Sequence, residues 1–183
     1  IFMFLDLKGS TTLADKMAAE HYFGFLHRYF AEMSEPILET DAEIFQYVGD
    51  EVVLTWKVGN GLEEANCIRV FFLIEEQIHA HRDHFLQTYG VVPEFKAGVH
   101  TGEVITAQIG ELKSDIVYNG DVLNTTARIQ ALCNQLGQKL LVSAELIERL
   151  SLGPEYTVVE LGDVSLHGKA EALKLCAVDR TDI

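Results

Sequence analysis

Apolar residues crowd the first seven positions, IFMFLDL, with one carboxylate at Asp6. A short, continuous apolar run of this kind reads as a buried strand. The Gly9-Ser10-Thr11-Thr12 that follows opens a helix, and Thr12 with Asp15 three residues on forms a capping-box-like start. Tyr22, Phe25, Leu26, Tyr29, Phe30 and Met33 then recur at helical spacing, which predicts one broad apolar face, and Pro36 is expected to end that helix. Residues 43–48 and 51–56 read as two strands around the tight turn Val48-Gly49-Asp50-Glu51, a hairpin signal. A second long helix is predicted over 62–87, with Ile68, Phe71, Phe72, Ile78 and Phe85 pointing inward. Beyond it the pattern predicts a long strand at 94–107, a short one at 115–118 and a helix at 121–135. A strand at 139–142, a short helix at 143–150 and a closing hairpin from 155 to 178 complete the chain.

The order strand, helix, strand-strand, helix, strand is the split βαβ pattern. The predicted fold class is therefore α+β, a ferredoxin-like βαββαβ palm core with added C-terminal strands. That fold hosts many functions and decides none of them. With 183 residues and no linker, repeat or low-complexity tract, one domain over 1–183 is expected.

Charge narrows the partners. Fourteen basic against 28 acidic residues leave a net charge of −14, which argues against nucleic acid or an anionic membrane surface. Cys67, Cys133 and Cys176 are odd in number, far apart and in apolar settings, so they read as reduced core thiols of a cytoplasmic protein. The longest apolar run, VFFLI at 70–74, falls well short of the roughly 20 residues of a membrane span. No signal peptide is legible. The chain opens inside an apolar strand without an initiator Met, which predicts an internal start in a longer protein, one whose upstream part could be a membrane anchor, a sensor or a coiled coil.

Candidate chemistry gathers at three places. Asp6 closes a buried strand, and the small residues after it, Gly9 to Thr12, offer backbone N–H groups at a helix start, a cradle for phosphate oxygens. Asp50 sits in a Gly-Asp turn, a pairing that conformation alone explains. Two such carboxylates could hold a pair of divalent cations on a polyphosphate. Asn124 and Arg128 lie one turn apart on the helix introduced by Asn119-Gly120-Asp121, on one face. A neutral amide and a permanent cation so placed could steady a ribose and the charge building on a phosphate. Taken singly, Arg128 reads as a solvated surface cation and Asp121 as a helix N-cap. His79, His81 and His84 read as a polar helix surface, Glu51 as a solvated turn residue, and His100 as a strand residue supporting the site.

In this order, FMFLDLKGSTTL, FQYVGDEVVLTW and DIVYNGDVLNTTARIQ, the segments resemble the class III nucleotidyl cyclases, from about Phe2 to about Val178. The resemblance implies that Asp6, Asp50 and the backbone carbonyl of Leu7 hold two Mg2+ or Mn2+ ions. It implies that Asn124 orients the ribose and that Arg128 stabilises the transferred phosphoryl group, while Gly9, Ser10, Thr11 and Thr12 are expected to cradle the phosphates on the reading of the helix start itself. It further implies a head-to-tail homodimer in which the carboxylates come from one protomer and the Asn–Arg pair from the other.

Three positions depart from that family's pattern. Gln46 stands where a lysine usually touches the purine, and Val117 where an Asp or Thr usually pairs with it; Asp115 is a weak substitute. His167 replaces a lysine expected at the terminal phosphates, with Lys169 near enough to serve. The expected activity is conversion of ATP to 3′,5′-cyclic AMP and pyrophosphate. Guanylate or mixed-specificity cyclase and a catalytically silent cyclase-homology module remain alternatives. A diguanylate cyclase is suggested by VGDEVVL, but the doubled glycine is missing and the helix Asn and Arg would go unexplained.

Overall fold

The computed structural model describes residues 1–109, 115–165 and 172–181, with backbone alone for 107–109 and 115–119. His167 and Lys169 lie outside the described residues, as do the side chains of Asp115 and Val117.

β1 (Phe2–Leu7) sends alternate residues to the two faces of the sheet, as strand geometry requires. Met3, Leu5 and Leu7 enter the main core, while Phe2 and Phe4 join a smaller cluster on the other side. Next come α1 (Ser10–Lys16), α2 (Ala19–Glu32) and α3 (Ser34–Glu39). The hairpin is β2 (Glu43–Val48) and β3 (Glu51–Thr55). α4 (Val58–Leu62), a 3₁₀ turn at Glu63–Ala65, α5 (Asn66–Ala80) and α6 (Arg82–Tyr89) follow. β4 (Phe95–His100), β5 (Ile105–Ile109) and β6 (Asp115–Asn119) lead to α7 (Asp121–Leu136). β7 (Leu140–Ser143), α8 (Ala144–Ile147), β8 (Tyr156–Val164) and β9 (Leu173–Arg180) finish the described elements.

The main sheet runs β2-β3-β1-β4-β7-β9-β8, with β5 and β6 as a separate antiparallel pair. Its first four strands have the order and antiparallel pairing of a ferredoxin-like core, and β7 joins β4 in parallel. Helical residues Phe25, Tyr29, Phe71, Ile74 and Phe85 pack under one face of the sheet with Leu5 and Val52. α7 covers the opposite face, with Val122 against Phe2, Phe4 and Val53. Ile68, Phe71, Phe72, Ile78 and Phe85 are buried as predicted, and Cys67, Cys133 and Cys176 are free and buried. Among the described residues no helix is long and apolar enough to cross a membrane.

Several boundaries differ from the sequence reading. α1 starts at Ser10 with Gly9 at its cap, φ +71, so Thr12 lies inside the helix and no side chain caps it. The predicted single helix is three pieces: Met17 and Ala18 are extended between α1 and α2, and Met33 separates α2 from α3. Pro36 does not end the helical run but sits in the first turn of α3, and α2 stops at Glu32, the residue whose carbonyl an uninterrupted helix would have brought against the proline ring. The 62–87 helix breaks at His81, whose ring Nδ1 lies 3.1 Å from Gln77 O and 3.0 Å from Glu32 Oε2, tying α2 to the α5–α6 junction. The long 94–107 strand is two strands in different sheets. Between them Gly102 passes Val122 so closely that a Cβ would stand 2.9 Å from the valine Cβ.

Candidate functional site

β1 brings Asp6 to the α7 side of the sheet, in register with Glu51 of β3 on one flank and Lys96 of β4 on the other. Gly49 and Asp50 form the two-residue loop between Val48 and Glu51. Gly49 has φ +63 and Asp50 is not left-handed, the signature of a type II′ turn that suits a twisted hairpin. Asp50 thus stands just beyond the strand neighbouring Asp6. Its Oδ2 is buried with no hydrogen-bond partner.

Leu7 lies opposite Phe95, and Lys8 N donates to Glu94 O at 2.8 Å. Antiparallel ladders alternate, so the groups of Leu7 turn away from β4, towards the hairpin. The carbonyl expected as a third metal donor is therefore directed to the Asp50 side. Beyond it, the first N–H groups of α1, at Ser10, Thr11 and Thr12, lack helical acceptors as at any helix start, since the first intrahelical bond is Leu13 N to Gly9 O.

Two side chains that sequence reasoning missed hold Asp6. Lys96 Nζ lies 3.2 Å from Asp6 Oδ2, and Gln130 Nε2 donates to the same oxygen at 3.0 Å. Glu51 also departs from its expected role. It is the half-buried first residue of β3, not a solvated turn residue, and its pKa is pushed up to about 7 by burial and then by the charges of Asp6 and Asp50. Asp6 is raised too, chiefly by burial, with the Asp50 charge adding and Lys96 opposing. On the helical side, burial raises the Tyr29 hydroxyl well above its usual value, the same two aspartates contribute, and the group has no partner.

The donor set is hard oxygen, which suits Mg2+ or Mn2+. Among the described residues no group of three or more His, Cys, Asp or Glu forms a metal cage. Magnesium-type ions need none, because substrate phosphates and water complete their shells. The orphaned Asp50 Oδ2 beside a carboxylate of raised pKa is the feature that fits such cations.

α7 approaches β4 closely because residue 98 is glycine: a Cβ there would stand 2.4 Å from Gln130 N and 2.9 Å from Thr126 O. Val122, Thr126, Ile129, Gln130 and Cys133 form its buried side. At 100° per residue, Arg128 and Asn124 lie roughly 160° and 120° around the helix from Gln130. Asn124 is exposed and Arg128 half-buried. The pair shares a face, as expected, but within one chain α7 directs Gln130, and not that pair, to Asp6. Asp121 is not the N-cap. Gly120 holds that place, and Asp121 is the first helical residue, accepting from Thr125 Oγ1 at 3.2 Å.

The remaining predicted residues scatter. Gln46 is exposed on β2, opposite Val53 and beside a bulge. By register it is two residues and two strands from Asp6, about 12 Å. His100 is buried with Nδ1 2.8 Å from Ser143 Oγ. It pairs with Phe2, at the far end of β1 from Asp6 and about 13 Å away, so it does not support the carboxylates. A cavity of about 480 Å3 between α5 and the start of β4, lined by Glu75, Ile78, Val92 and Phe95 among others, contains none of the predicted site residues.

Comparison with known proteins agrees with this architecture. The family model described as adenylate and guanylate cyclase catalytic domain matches residues 1–176. Adenylate cyclase 2 of Rhizobium meliloti (strain 1021) is 37% identical over 178 residues, covering 97% of this chain and 49% of its own length. Among solved structures, a bacterial light-regulated adenylyl cyclase superposes with a TM-score of 0.84 at 24% identity, covering 97% of this chain and 51% of that one. The adenylyl cyclase CyaB from P. aeruginosa gives 0.82 at 19% identity over 99% of this chain and 93% of its own. The chain thus spans about half the length of the curated relative.

Proposed function

Since the chain belongs to the family of adenylate and guanylate cyclase catalytic domains, we propose that it converts ATP to 3′,5′-cyclic AMP and pyrophosphate at a site shared between two copies. The observation that carries this reading is the division of labour on α7. Gln130 reaches the Asp6 of its own chain, whereas Arg128 and Asn124 face away from it. A second copy related by a two-fold axis would present its own Asn124 and Arg128 to those carboxylates, and both sites would be completed at once.

In that arrangement Asp6, Asp50 and the Leu7 carbonyl would hold the divalent cations, which supply charge neutralisation on the triphosphate and a more acidic ribose 3′-hydroxyl. The 3′-oxygen attacks the α-phosphorus, its bond to the β-phosphate oxygen breaks, pyrophosphate leaves, and the hydroxyl proton passes to solvent. Asn124 orients the ribose. Arg128 spreads positive charge over the α-phosphoryl oxygens as charge builds there, and its planar fork suits that geometry. The N–H groups of Ser10 to Thr12 and the Lys96 ammonium add donors for the outer phosphates.

Base choice rests on Gln46 and Val117. An amide offers both a donor and an acceptor and can flip, so it satisfies adenine or guanine, and valine penalises neither. ATP is preferred on the family's pattern, with weak rejection of GTP, because strong rejection requires a buried polar group left unpaired. Pyrophosphate release and cyclic product with ATP and Mn2+ test the reading, with GTP alongside. Absence of turnover by dimeric protein would favour the silent module. Selectivity for ATP above roughly a thousandfold, about 4 kcal/mol, would show that other residues read the base.

A further inference from the structure

Asp6 has to offer an oxygen to a cation while sitting near the end of a strand, with Glu51 and the hairpin Asp50 on one flank and Lys96 on the other. Burial and the charge of Asp50 disfavour its ionised form, and a freely rotating carboxylate would present either oxygen. The structure constrains it through one atom: Lys96 Nζ at 3.2 Å and Gln130 Nε2 at 3.0 Å both converge on Oδ2, leaving Oδ1 as the oxygen offered to a cation. The two donors differ in kind. Lys96 is a cation, and its charge competes with any metal bound nearby. Gln130 is neutral, so it orients the carboxylate without adding positive charge beside the ions.

Gln130 is also held in place. It is 7% exposed, it sits on the buried side of α7, and its backbone lies against Gly98 at a distance no Cβ would allow. The separation of 124 positions between Asp6 and Gln130 makes this a contact that only the packed sheet and helix create. We propose that Gln130 is a positioning residue for the cation site: it fixes Asp6 through Oδ2, so that α7 supports the metal carboxylate of its own chain on one side while presenting Asn124 and Arg128 to the other copy. The inference rests on the cyclase reading in taking Asp6 as a metal ligand, but its test does not require turnover.

The measurement is Mn2+ binding to the nucleotide-free protein, followed by electron paramagnetic resonance, beside thermal unfolding. Gln130→Met keeps the length and helix preference of the side chain and removes the donor. Metal affinity should fall roughly 10–100-fold, the usual effect of losing a group that orients a ligand, and in turnover the Mn2+ requirement should rise more than kcat falls. Gln130→Asn retains the amide but ends one methylene short, and should fall between wild type and Gln130→Met. It also serves if the methionine variant folds poorly. Both variants binding Mn2+ within twofold of wild type, with unchanged melting, would overturn the proposal. If Asp6→Asn binds as well as wild type, the metal assignment of Asp6 itself is wrong, a failure distinct from that of Gln130.

Discussion

Gly98→Ala probes the close approach on which the account depends. The added Cβ would lie 2.4 Å from Gln130 N, 2.8 Å from Gln130 Cα and 2.9 Å from Thr126 O, all backbone atoms of α7. Carbon contacts are comfortable near about 3.5 Å, so the helix must move roughly 1 Å off the sheet or the strand must bend. Overpacking of this kind costs about 1–3 kcal/mol. Gly98 is not left-handed, so alanine gains back roughly 0.4–1 kcal/mol from a stiffer unfolded chain. The net expectation is a loss of about 1–2 kcal/mol in urea unfolding. Turnover should suffer more, because roughly 1 Å of misplacement at a reacting constellation costs about a hundredfold. Gly59→Ala is the control: residue 59 lies in α4 with nothing within 4 Å of the added Cβ, so stability should hold or rise slightly. A Gly98→Ala protein as stable and active as wild type would refute the argument that glycine sets the height of α7.

Asp50→Ala should abolish turnover yet leave stability unchanged or raised by up to about 1 kcal/mol, since it removes a buried acceptor that has no partner; a mutant retaining a third of the wild-type rate would sink the two-cation assignment. Glu51 makes a pH prediction: its folded pKa of about 7 lies above the 4.5 of a solvated glutamate, so the folded state holds the proton more tightly. Its contribution is complete below about pH 4.5 and lost as pH rises through 7, about 1–2 kcal/mol after allowing for partial exposure. Metal-free protein should therefore weaken between pH 5 and 7.5, a slope that Glu51→Gln should flatten; an equal slope in that variant would refute the assignment.

The legible part of this molecule was whatever a short stretch of chain encodes by itself. Asp6 and Asp50 could be read because a buried strand and a Gly-Asp hairpin turn announce themselves locally, and Asn124 with Arg128 because helical spacing puts them on one face. The ferredoxin-like order followed from the same periodicities. Lys96 and Gln130 were invisible because their meaning is tertiary: nothing in FKAGVH or TARIQ says that both will reach Asp6. Glu51 reads as a solvated turn residue for a related reason, since the register that places it opposite Asp6 is set by the whole sheet. The break at Met17 and Ala18 carries neither glycine nor proline. Leu13 and Met17 both pack against the main core, so packing and not propensity bends the chain there. At His81 the ring is bound to Gln77 O and Glu32, and only the Gln77 partner is near in sequence.

The central claim, that two copies complete each other's sites, is tested most directly by mixing Asp50→Ala with Arg128→Ala protein. Each variant alone should be inactive. In the mixed dimer one site would contain both carboxylates of the Arg128→Ala chain and the Asn124 and Arg128 of the Asp50→Ala chain, so activity should return, up to about a quarter of the wild-type rate if subunits pair at random and all retain their fold. Heterodimers that demonstrably form and yet show no recovered turnover would contradict the shared site.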